Sequence, residues 1–517
     1  MLEKIDLNGK NSTIFKKGNK QVAVFKTDTD IFAIDNRCPH EGYPLLQGKH
    51  DGNCILTCNW HNWKFDMKTG ECLTGGDNVR TYPIIIKDGE IFLELTEPSK
   101  DDIEKEILKG FKVGFEDRQY GRIARELARL HFNKIDPIIA LKKAIEWSYD
   151  KFEYGSDHEY AVSADWLQLY LNESDLEKRI TYLTEAIDYI SLNALRHKEY
   201  SFSKEIKTWN EKDFLEAVEN ENHELATSLI NGAFSSGLHF EDLEKVLSSI
   251  ALEHYNDFGH SLIYVQKTAF LVKHLGIEVE KFLTLALVRS IINATREDLL
   301  PEFKKYSEFL NTSIKNNVGN LDFWRKNVND SMNLVSENFD EQNIKILYDA
   351  LLLSNAKNML HFDISYQNNT NNKVSDNIGW LDFTHALTFS NAVKTQCNKY
   401  PDLWKKGLLQ LACFSGRNHN YLDLESEETF LVENYESFKN SFFERILDHG
   451  IPTPIFPAHL LKTSIAVFEE IENTNDLELK KYLSASLNRF LNAPLKQKHM
   501  KRTIKQGIDL VSKDFIN

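Results

Sequence analysis

Hydrophobic and polar positions follow two different patterns along the chain. Up to residue 96, short apolar runs alternate with polar turns, as in β-strands: QVAVF, IFAI, CILT, YPIII and IFLEL. Asp88 and Gly89 stand between the last two runs and favour a tight hairpin turn, because both residues accept positive φ. The pattern predicts a strand-rich N-terminal domain over residues 1–96.

From residue 97 to the end the pattern is helical. Ser99, followed by Asp101 and Asp102, is typical of a helix start. Further along, apolar and small residues share one stripe at 3.6-residue spacing: Leu243, Val246, Leu247, Ile250, Ser261, Tyr264, Leu271, Val272 and Leu275. The sequence therefore predicts a multidomain protein, with a large all-α domain over residues 97–517.

Length, charge and targeting signals narrow the function classes. At about 100–200 residues per domain, 517 residues suggest two to four domains. The net charge of −15, without a basic block, argues against nucleic acid and anionic membranes as partners. The N-terminus lacks the basic start and apolar run of a signal peptide, and the longest apolar stretch, Phe282–Ala294, contains Arg289. We expect a soluble, cytoplasmic protein.

Cysteine and histidine combine in one short motif. Its spacing is C-x-H-x17-C-x2-H, formed by Cys38, His40, Cys58 and His61. Two thiolates on one iron and two imidazoles on the other are the ligands of a Rieske-type [2Fe–2S] cluster. A structural zinc site would also accept two cysteines and two histidines. Because the six cysteines are too few for a disulfide framework, metal chemistry explains this window better.

The residues around the motif carry a family resemblance. CPHEGYPLLQG and LTCNWHNWKFDMKTGECLTGGDNVRTYPI resemble the cluster loops of Rieske ferredoxins and of Rieske oxygenase N-terminal domains. The resemblance implies a small all-β domain with one [2Fe–2S] cluster at its tip, held by the four motif residues. It also implies that electrons leave through the exposed edges of His40 and His61, and that a reductase or ferredoxin-type protein is the electron donor.

The cluster loops differ from those of respiratory Rieske proteins at positions that affect the redox potential of the cluster. Rieske proteins of respiratory complexes carry an extra cysteine in each loop, and here those places hold Tyr43 and Trp60. Asn62 and Trp63 follow the second histidine, where a serine would donate to a bridging sulfur. Fewer hydrogen bonds to sulfur predict a potential toward the low end of the Rieske range of roughly −150 to +300 mV. Four cysteines receive no functional role, and the first two are interpreted as buried thiols: Cys54, Cys72, Cys397 and Cys413.

The helical domain contains a short internal sequence repeat, which we call the D-F-x-H echo. Residues 257–264 read DFGHSLIY and residues 382–389 read DFTHALTF, while the D-x2-H-x4-H iron motif of ring-hydroxylating oxygenases is missing. An aspartate and a histidine three residues apart share one helix face. Each aspartate also falls in an apolar stripe, where a carboxylate needs a cation, a metal or a hydrogen-bond network.

The echo predicts a catalytic site on four residues, namely Asp257, His260, Asp382 and His385. Two carboxylate-x-x-His elements resemble half of a di-iron bundle, which suggests a second iron site. A structural polar network and a metal-free acid/base pocket fit the same pattern. Further candidate ligands are Glu253, His254, His361 and His158, whereas four histidines are interpreted as surface or packing residues: His419, His449, His459 and His499.

A second resemblance concerns the same segments. GHSLIYVQKTAFL and THALTFSNAV are similar to helical questin-oxidase-like proteins, which perform oxidative ring chemistry on aromatic polyketides. Our leading hypothesis is an oxidoreductase, of oxygenase type, in which the cluster feeds electrons to a helical domain that acts on a small organic substrate. The alternatives are a redox sensor and a ferredoxin-like electron-transfer protein whose helical domain only binds a partner.

Overall fold

The computed structural model of the chain describes residues 2–194, 198–296, 303, 305–312, 321–424 and 428–514. The chain divides into two compact units. One comprises Met1–Gly114 and Ala128–Ile135, and the other comprises Phe115–Leu127 and Asp136–Asn517. All strands of the named sheets lie in the first unit, and helices follow from Lys100 onward, so the predicted order of an all-β and an all-α part is confirmed.

The described residues of the first unit form ten strands: β1 (Leu2–Ile5), β2 (Ser12–Lys17), β3 (Lys20–Lys26), β4 (Ile31–Asp35), β5 (Lys49–His50), β6 (Ile55–Thr57), β7 (Lys64–Asp66), β8 (Cys72–Thr74), β9 (Ile84–Lys87) and β10 (Glu90–Glu94). They form three antiparallel sheets, with orders β1-β10-β9, β2-β3-β4 and β5-β6-β7-β8. Asp88 and Gly89 have φ of 53° and 78° between the paired Lys87 and Glu90, which confirms the predicted hairpin turn.

Strand β3 is buried on both faces. Val22 and Val24 belong to one apolar core, and Ala23 and Phe25 belong to a second core that also contains both cysteines of the motif. Successive side chains of a strand point to opposite faces, so a strand between two cores is apolar at every position. This explains the uninterrupted VAVF run, and it anchors the motif loops on the second core.

The described helices are α1 (Lys100–Glu116), α2 (Tyr120–Phe132), α3 (Ile138–Ser148), α4 (His158–Asn172), α5 (Leu176–Ala194), α6 (Glu211–Glu219), α7 (His223–Ser235), α8 (Phe240–Ala251), α9 (His260–Leu275), α10 (Ile277–Ile292), α11 (Tyr306–Asn311), α12 (Val328–Asn338), α13 (Ile344–Leu360), α14 (Ser365–Asn368), α15 (Trp380–Lys399), α16 (Trp404–Asn418), α17 (Tyr435–Leu447), α18 (Ile455–Glu472), α19 (Leu477–Asn492) and α20 (Met500–Val511). As predicted, Ser99 caps α1, because its hydroxyl accepts from the N–H of Asp102 at 3.2 Å.

The predicted stripe between Leu243 and Leu275 is interrupted. Helix α8 ends at Ala251 and α9 begins at His260, and Asn256, Asp257 and Gly259 between them adopt positive φ. The 3.6-residue spacing of apolar residues stays in phase on both sides of this loop, so the spacing alone does not show that the helix ends. The expectation that Asp257 lies on a buried helix face is therefore wrong, because Asp257 precedes the helix and is exposed.

Four helices of the second unit surround a common interior. Helix α4 packs on α9, α9 on α15, α15 on α18, and α18 on α4, so the four contacts close a ring. This arrangement brings residues that are far apart in the sequence to one place. Within the described parts of the chain, we find no helix with both the length and the apolar character needed to cross a bilayer.

Candidate functional sites

The two motif loops of the first unit share one backbone pattern. In each loop the cysteine N–H donates to the carbonyl five residues later, at 2.8 Å for Cys38 and 2.7 Å for Cys58. The N–H four residues later donates back to the cysteine carbonyl, from Gly42 at 2.8 Å and from Asn62 at 3.0 Å. Gly42 and Asn62 both adopt positive φ. The loops are therefore two similar turns that each present one thiol and one imidazole.

The four motif side chains lie together. Cys38 and Cys58 are 3% and 1% exposed, and burial, together with the adjacent Cys58 thiol, raises the pKa of Cys38 to about 11. His40 and His61 lie closer to the surface, with their Nδ1 atoms 3.0 Å apart. An inner pair of thiols and an outer pair of imidazole nitrogens fit the ligand set of a Rieske cluster, which supplies one-electron transfer when bound.

Each imidazole of the motif packs against an indole. Trp63 stacks on His40, with ring centroids 4.7 Å apart, and Trp60 stacks on His61 at 5.0 Å. Gly75 makes room for Trp63, because a Cβ atom at Gly75 would lie 2.3 Å from the indole ring. The indoles thus fix the orientation of both histidines.

Sequence comparison identifies this unit. A family model described as Rieske [2Fe–2S] domain matches residues 2–83. The 3-phenylpropionate/cinnamic acid dioxygenase ferredoxin subunit of Photorhabdus laumondii is 35% identical over 78 residues, which are 15% of this chain and 74% of that protein. The chain belongs to the Rieske [2Fe–2S] family. The Rieske domain is homologous to ferredoxin subunits of dioxygenases, which supports electron transfer as its function and a [2Fe–2S] cluster as its cofactor.

Two further similarities concern the same Rieske domain. The Escherichia coli K12 protein with the same name as the Photorhabdus subunit is 32% identical over 78 residues, which again are 15% of this chain and 74% of that protein. The solved ferredoxin of carbazole 1,9a-dioxygenase from Nocardioides aromaticivorans IC177 is 27% identical. It covers 17% of this chain and 86% of that ferredoxin, with a TM-score of 0.16.

The cysteines outside the motif have different environments. Cys54 and Cys72 are partly exposed, so the expectation that both are buried is wrong. Cys54 lies just before β6, and Cys72 begins β8, the last strand in the order of its sheet among the described strands. Cys397 and Cys413 are buried in the helical unit.

Four histidines converge inside the ring of helices in the second unit. His158 and His260 begin α4 and α9, His385 lies in the second turn of α15, and His459 lies in the second turn of α18. Their ring centroids form a closed circuit, at 4.7 Å from His158 to His260, 4.5 Å to His385, 5.1 Å to His459 and 4.8 Å back to His158. We call these residues the histidine cluster.

Oxygen atoms fix the tautomer of every ring in the histidine cluster. Nδ1 donates to the carbonyl four residues earlier in His260 at 3.0 Å, in His385 at 2.6 Å and in His459 at 2.6 Å. His158 Nδ1 donates to Asp157 Oδ1 at 2.5 Å. Since these oxygens only accept, the neutral rings carry their protons on Nδ1. All four Nε2 atoms therefore present lone pairs.

Those lone pairs have too few partners. The Nε2 atoms of His158 and His260 lie 3.2 Å apart, so two acceptors face each other. His385 Nε2 accepts from Lys462 Nζ at 2.8 Å, and no described residue donates to the buried Nε2 of His459. Ligand atoms of His158, His385 and His459 all lie within 4.8 Å of one another. Converging lone pairs of this kind suit a metal cation. The oxygen atoms that accept from Nδ1 would hold the ligand rings in orientation.

Burial keeps the histidine cluster neutral. It lowers the pKa of all four imidazoles, well below the ordinary value in His260, His385 and His459, and the charge of Lys462 lowers them further. Burial also lowers the pKa of Lys462 to about 7, against the opposing effect of Asp157 and Asp165. Neutral imidazole is the form that binds metals, so the interior favours ligation over protonation.

The structure brings some of the sequence candidates together and separates others. His260, His385 and the further candidate His158 meet in the histidine cluster. Asp257 is exposed, and its N–H donates to the Thr295 hydroxyl at 2.7 Å. Asp382 is buried, but its carboxylate accepts from the N–H of Gly379 at 2.9 Å and thereby caps α15. Neither aspartate belongs to the cluster.

The remaining candidate ligands lie elsewhere in the helical unit. His254 pairs with Glu219 at 3.0 Å, Glu253 pairs with Lys406, and His361 Nδ1 bonds to the Asp423 carbonyl at 3.2 Å. Sequence reasoning missed His459, which it interpreted as a surface or packing residue. The available signal was the run IFPAHLLKTSIAVF, in which a histidine and a lysine three residues later interrupt an otherwise apolar helix.

Proposed function

We propose that the protein is an iron-dependent oxidoreductase of oxygenase type, in which the Rieske domain supplies electrons to a metal ion held by the histidine cluster. The observation that carries the proposal is the convergence of four Nε2 lone pairs whose Nδ1 atoms are all fixed by oxygen acceptors. Homology of the Rieske domain to ferredoxin subunits of dioxygenases supports the electron supply.

The choice of metal follows from the ligands and from the electron source. Imidazole suits zinc, copper, iron and nickel, but zinc has no redox chemistry and would not accept the electron of a Rieske domain. Iron meets both conditions, and the same chain already assembles iron at its other site. Because the four imidazoles are neutral, they leave the charge of the ion uncompensated. The site therefore favours an anionic ligand, such as the deprotonated oxygen of a substrate.

Two groups next to the histidine cluster, Lys462 and Asp157, donate or accept hydrogen bonds that control where its protons lie. Lys462 donates to His385 Nε2 and has a pKa of about 7, so it exchanges a proton near neutral pH. Asp157 accepts from His158 Nδ1 and keeps its proton on the outer side of the ring. A metal held by His385 Nε2 would compete with Lys462 for that lone pair, so the Lys462 ammonium group would then be available to donate to a substrate.

The proposed function also implies electron-transfer partners, a substrate and a cellular location for the protein. A nicotinamide-linked reductase, directly or through a ferredoxin-type protein, reduces the Rieske domain, and a small organic molecule is the substrate. Such reductases draw on the cytoplasmic nicotinamide pool, so a cytoplasmic location is part of the proposal. An electron-transfer protein whose helical unit only binds a partner would need no metal at the histidine cluster.

Metal analysis with a matched pair of variants tests the proposal. We expect the purified protein to hold two iron atoms for the cluster and one more. His459→Ala should lose only the additional iron and retain the Rieske spectrum. The control is His449→Ala, because His449 bonds to Glu185 at 3.0 Å, outside the histidine cluster. Wild-type protein with iron in the Rieske domain alone, or with zinc at the histidine cluster, would overturn the proposal.

A further inference from the structure

Helix α20 carries an exposed apolar stripe. Met500, Ile504, Ile508 and Val511 follow one another at intervals of four, four and three residues, which places them within about 80° of one helix face. All four residues are more than half exposed, with values between 53% and 64%. The apolar stripe of a surface helix normally faces a protein core, so this stripe calls for another covering.

The opposite face of α20 is the one that contacts the rest of the helical unit. Within α20, all of whose residues are described, only Arg502 and Gln506 are partly buried, and they lie about 180° around the helix from the stripe. Arg502 Nη1 donates to the Gln367 carbonyl at 3.4 Å, and Gln506 Nε2 donates to the Asn372 carbonyl at 2.7 Å. Polar side chains therefore hold the helix to the protein, and the apolar stripe points outward.

The segment around α20 is basic, unlike the chain as a whole. Residues 496–514 contain six basic and two acidic side chains and so carry a net charge of +4, against −15 for the whole chain. Lys501 is exposed and lies beside the stripe on the helix surface. The net charge of the chain argued against anionic membranes, but at physiological ionic strength charges beyond about 8 Å are largely screened. The local excess of positive charge therefore determines which surface this helix attracts.

Two features favour a lipid surface over a second protein as the covering of the stripe. Four side chains of a 12-residue helix supply only part of the roughly 800 Å² per partner that a stable protein interface buries. In a pair of identical helices the basic side chains beside the two stripes would repel each other, whereas anionic lipid headgroups would attract them. An apolar face with lysine at its border is typical of helices that lie in the plane of a membrane interface.

We propose that α20 binds the surface of a bilayer that contains anionic lipids. The four side chains of the stripe enter the boundary between headgroups and acyl chains, and Lys501 binds lipid phosphates. Lys505 is already paired with Asp509 at 2.7 Å and contributes less. The helix lies along the surface, because 12 residues extend only about 18 Å, against about 30 Å for the hydrocarbon core of a bilayer.

Vesicle flotation with the full-length protein tests the proposal. Phosphatidylcholine vesicles with one quarter phosphatidylglycerol should bind the protein, and vesicles of pure phosphatidylcholine should bind it much more weakly. Ile504→Ala should weaken binding about tenfold, because it removes most of one apolar side chain from the bilayer. Lys501→Gln should weaken binding to the anionic vesicles about fivefold, the effect of one basic residue near a charged surface. High salt should release the protein.

The matched control is Ile206→Ala, because Ile206 is as exposed as Ile504, at 64%, and lies outside α20. It should bind the vesicles like the wild type, and thermal melting shows whether each variant is folded. Absence of binding to anionic vesicles, equal binding to the two kinds of vesicle, or undiminished binding by Ile504→Ala would overturn the proposal. So would a dimer that Ile504→Ala converts to a monomer in sedimentation velocity, since a second copy would then cover the stripe. None of these results depends on iron at the histidine cluster.

Discussion

Tyr264 donates a hydrogen bond of 2.7 Å to Asp157 Oδ1, the same oxygen that accepts from His158 Nδ1. The tyrosine therefore supports one ring of the histidine cluster through the carboxylate between them. Outer groups of this kind affect metal affinity about 10–100-fold. We expect Tyr264→Phe to weaken iron binding at the cluster about tenfold, measured by competition with a chelator.

The comparison for this variant is Tyr160→Phe. Tyr160 is also buried, but its hydroxyl bonds to Ser148 at 2.7 Å rather than to Asp157. Equal iron affinities in the two variants would contradict a role of Tyr264 in supporting His158.

The identity of the ligands predicts the spectrum of the Rieske domain. The reduced protein should give the rhombic, low-g EPR signal that arises when two imidazoles bind one iron of the cluster. His61→Cys or Cys58→Ser should abolish or transform this signal. A spectrum of four-cysteine ligation in the wild type, or zinc as its bound metal, would contradict the assignment.

The cluster loops predict a low redox potential. Tyr43 and Trp60 replace the disulfide cysteines of respiratory Rieske proteins, and no serine follows His61. Hydrogen bonds to the sulfurs raise the potential, so fewer of them lower it. Voltammetry should give a midpoint nearer the bottom than the top of the Rieske range. A value above about +200 mV would contradict this prediction.

The two aspartates of the D-F-x-H echo should behave differently from His385. Asp382→Ala removes the cap of α15 and should lower the free energy of unfolding by about 1 kcal/mol. Asp257→Asn changes an exposed side chain and should alter it by less than about 0.5 kcal/mol. His385→Ala should instead lose the additional iron. Denaturant unfolding measures the change in stability, and metal analysis measures the loss of iron. Loss of iron in Asp257→Asn would contradict our conclusion that Asp257 lies outside the site.

Glu159 predicts a pH dependence of stability. Burial and, to a lesser extent, the nearby Asp157 raise the pKa of its carboxyl group to about 8, whereas an unfolded chain has a value of about 4.3. The protonated group stabilises the fold fully below the unfolded pKa, and this contribution is lost as the pH rises to the folded pKa. The unfolding free energy should fall by up to about 1.4 kcal/mol per pH unit across this window.

A neutral replacement removes the effect of Glu159. Glu159→Gln should gain in melting temperature relative to the wild type as the pH rises from 5 toward 8, and the gain should level off above that. Glu177→Gln, at an exposed position of α5, serves as the control and should follow the wild type. Parallel pH profiles of wild type and Glu159→Gln would contradict the raised pKa.

The sequence predicted the Rieske domain in detail because its four candidate ligands are close together in the chain. Cys38 and His40 lie on one short loop, and Cys58 and His61 lie on the next, so their spacing and the resemblance of the surrounding residues together predict the cluster site. The strand pattern was equally local, and the Asp88–Gly89 turn took the predicted conformation. Helical periodicity identified the class of the second unit for the same reason.

The histidine cluster could be predicted only in part. The echo identified His260 and His385, but it paired each with an aspartate three residues earlier on the assumption that both lie within a helix. Helix α9 begins at His260, after Asp257, and Asp382 lies in the first turn of α15, where it caps the helix. His459 has no such partner, and only the packing of α18 against α4 and α15 brings it to the cluster.

The four histidines come from helices separated by up to 301 residues of chain, from His158 to His459. An unfolded chain cannot hold them within reach of one ion, so the metal ion that we propose would bind the native state far better than the unfolded state. By mass action, free metal at a hundredfold excess over its Kd adds about 2.7 kcal/mol to the stability. A metal ion held by the histidine cluster, as we propose, would therefore bind only after the four helices have docked, and it would stabilise that docked arrangement.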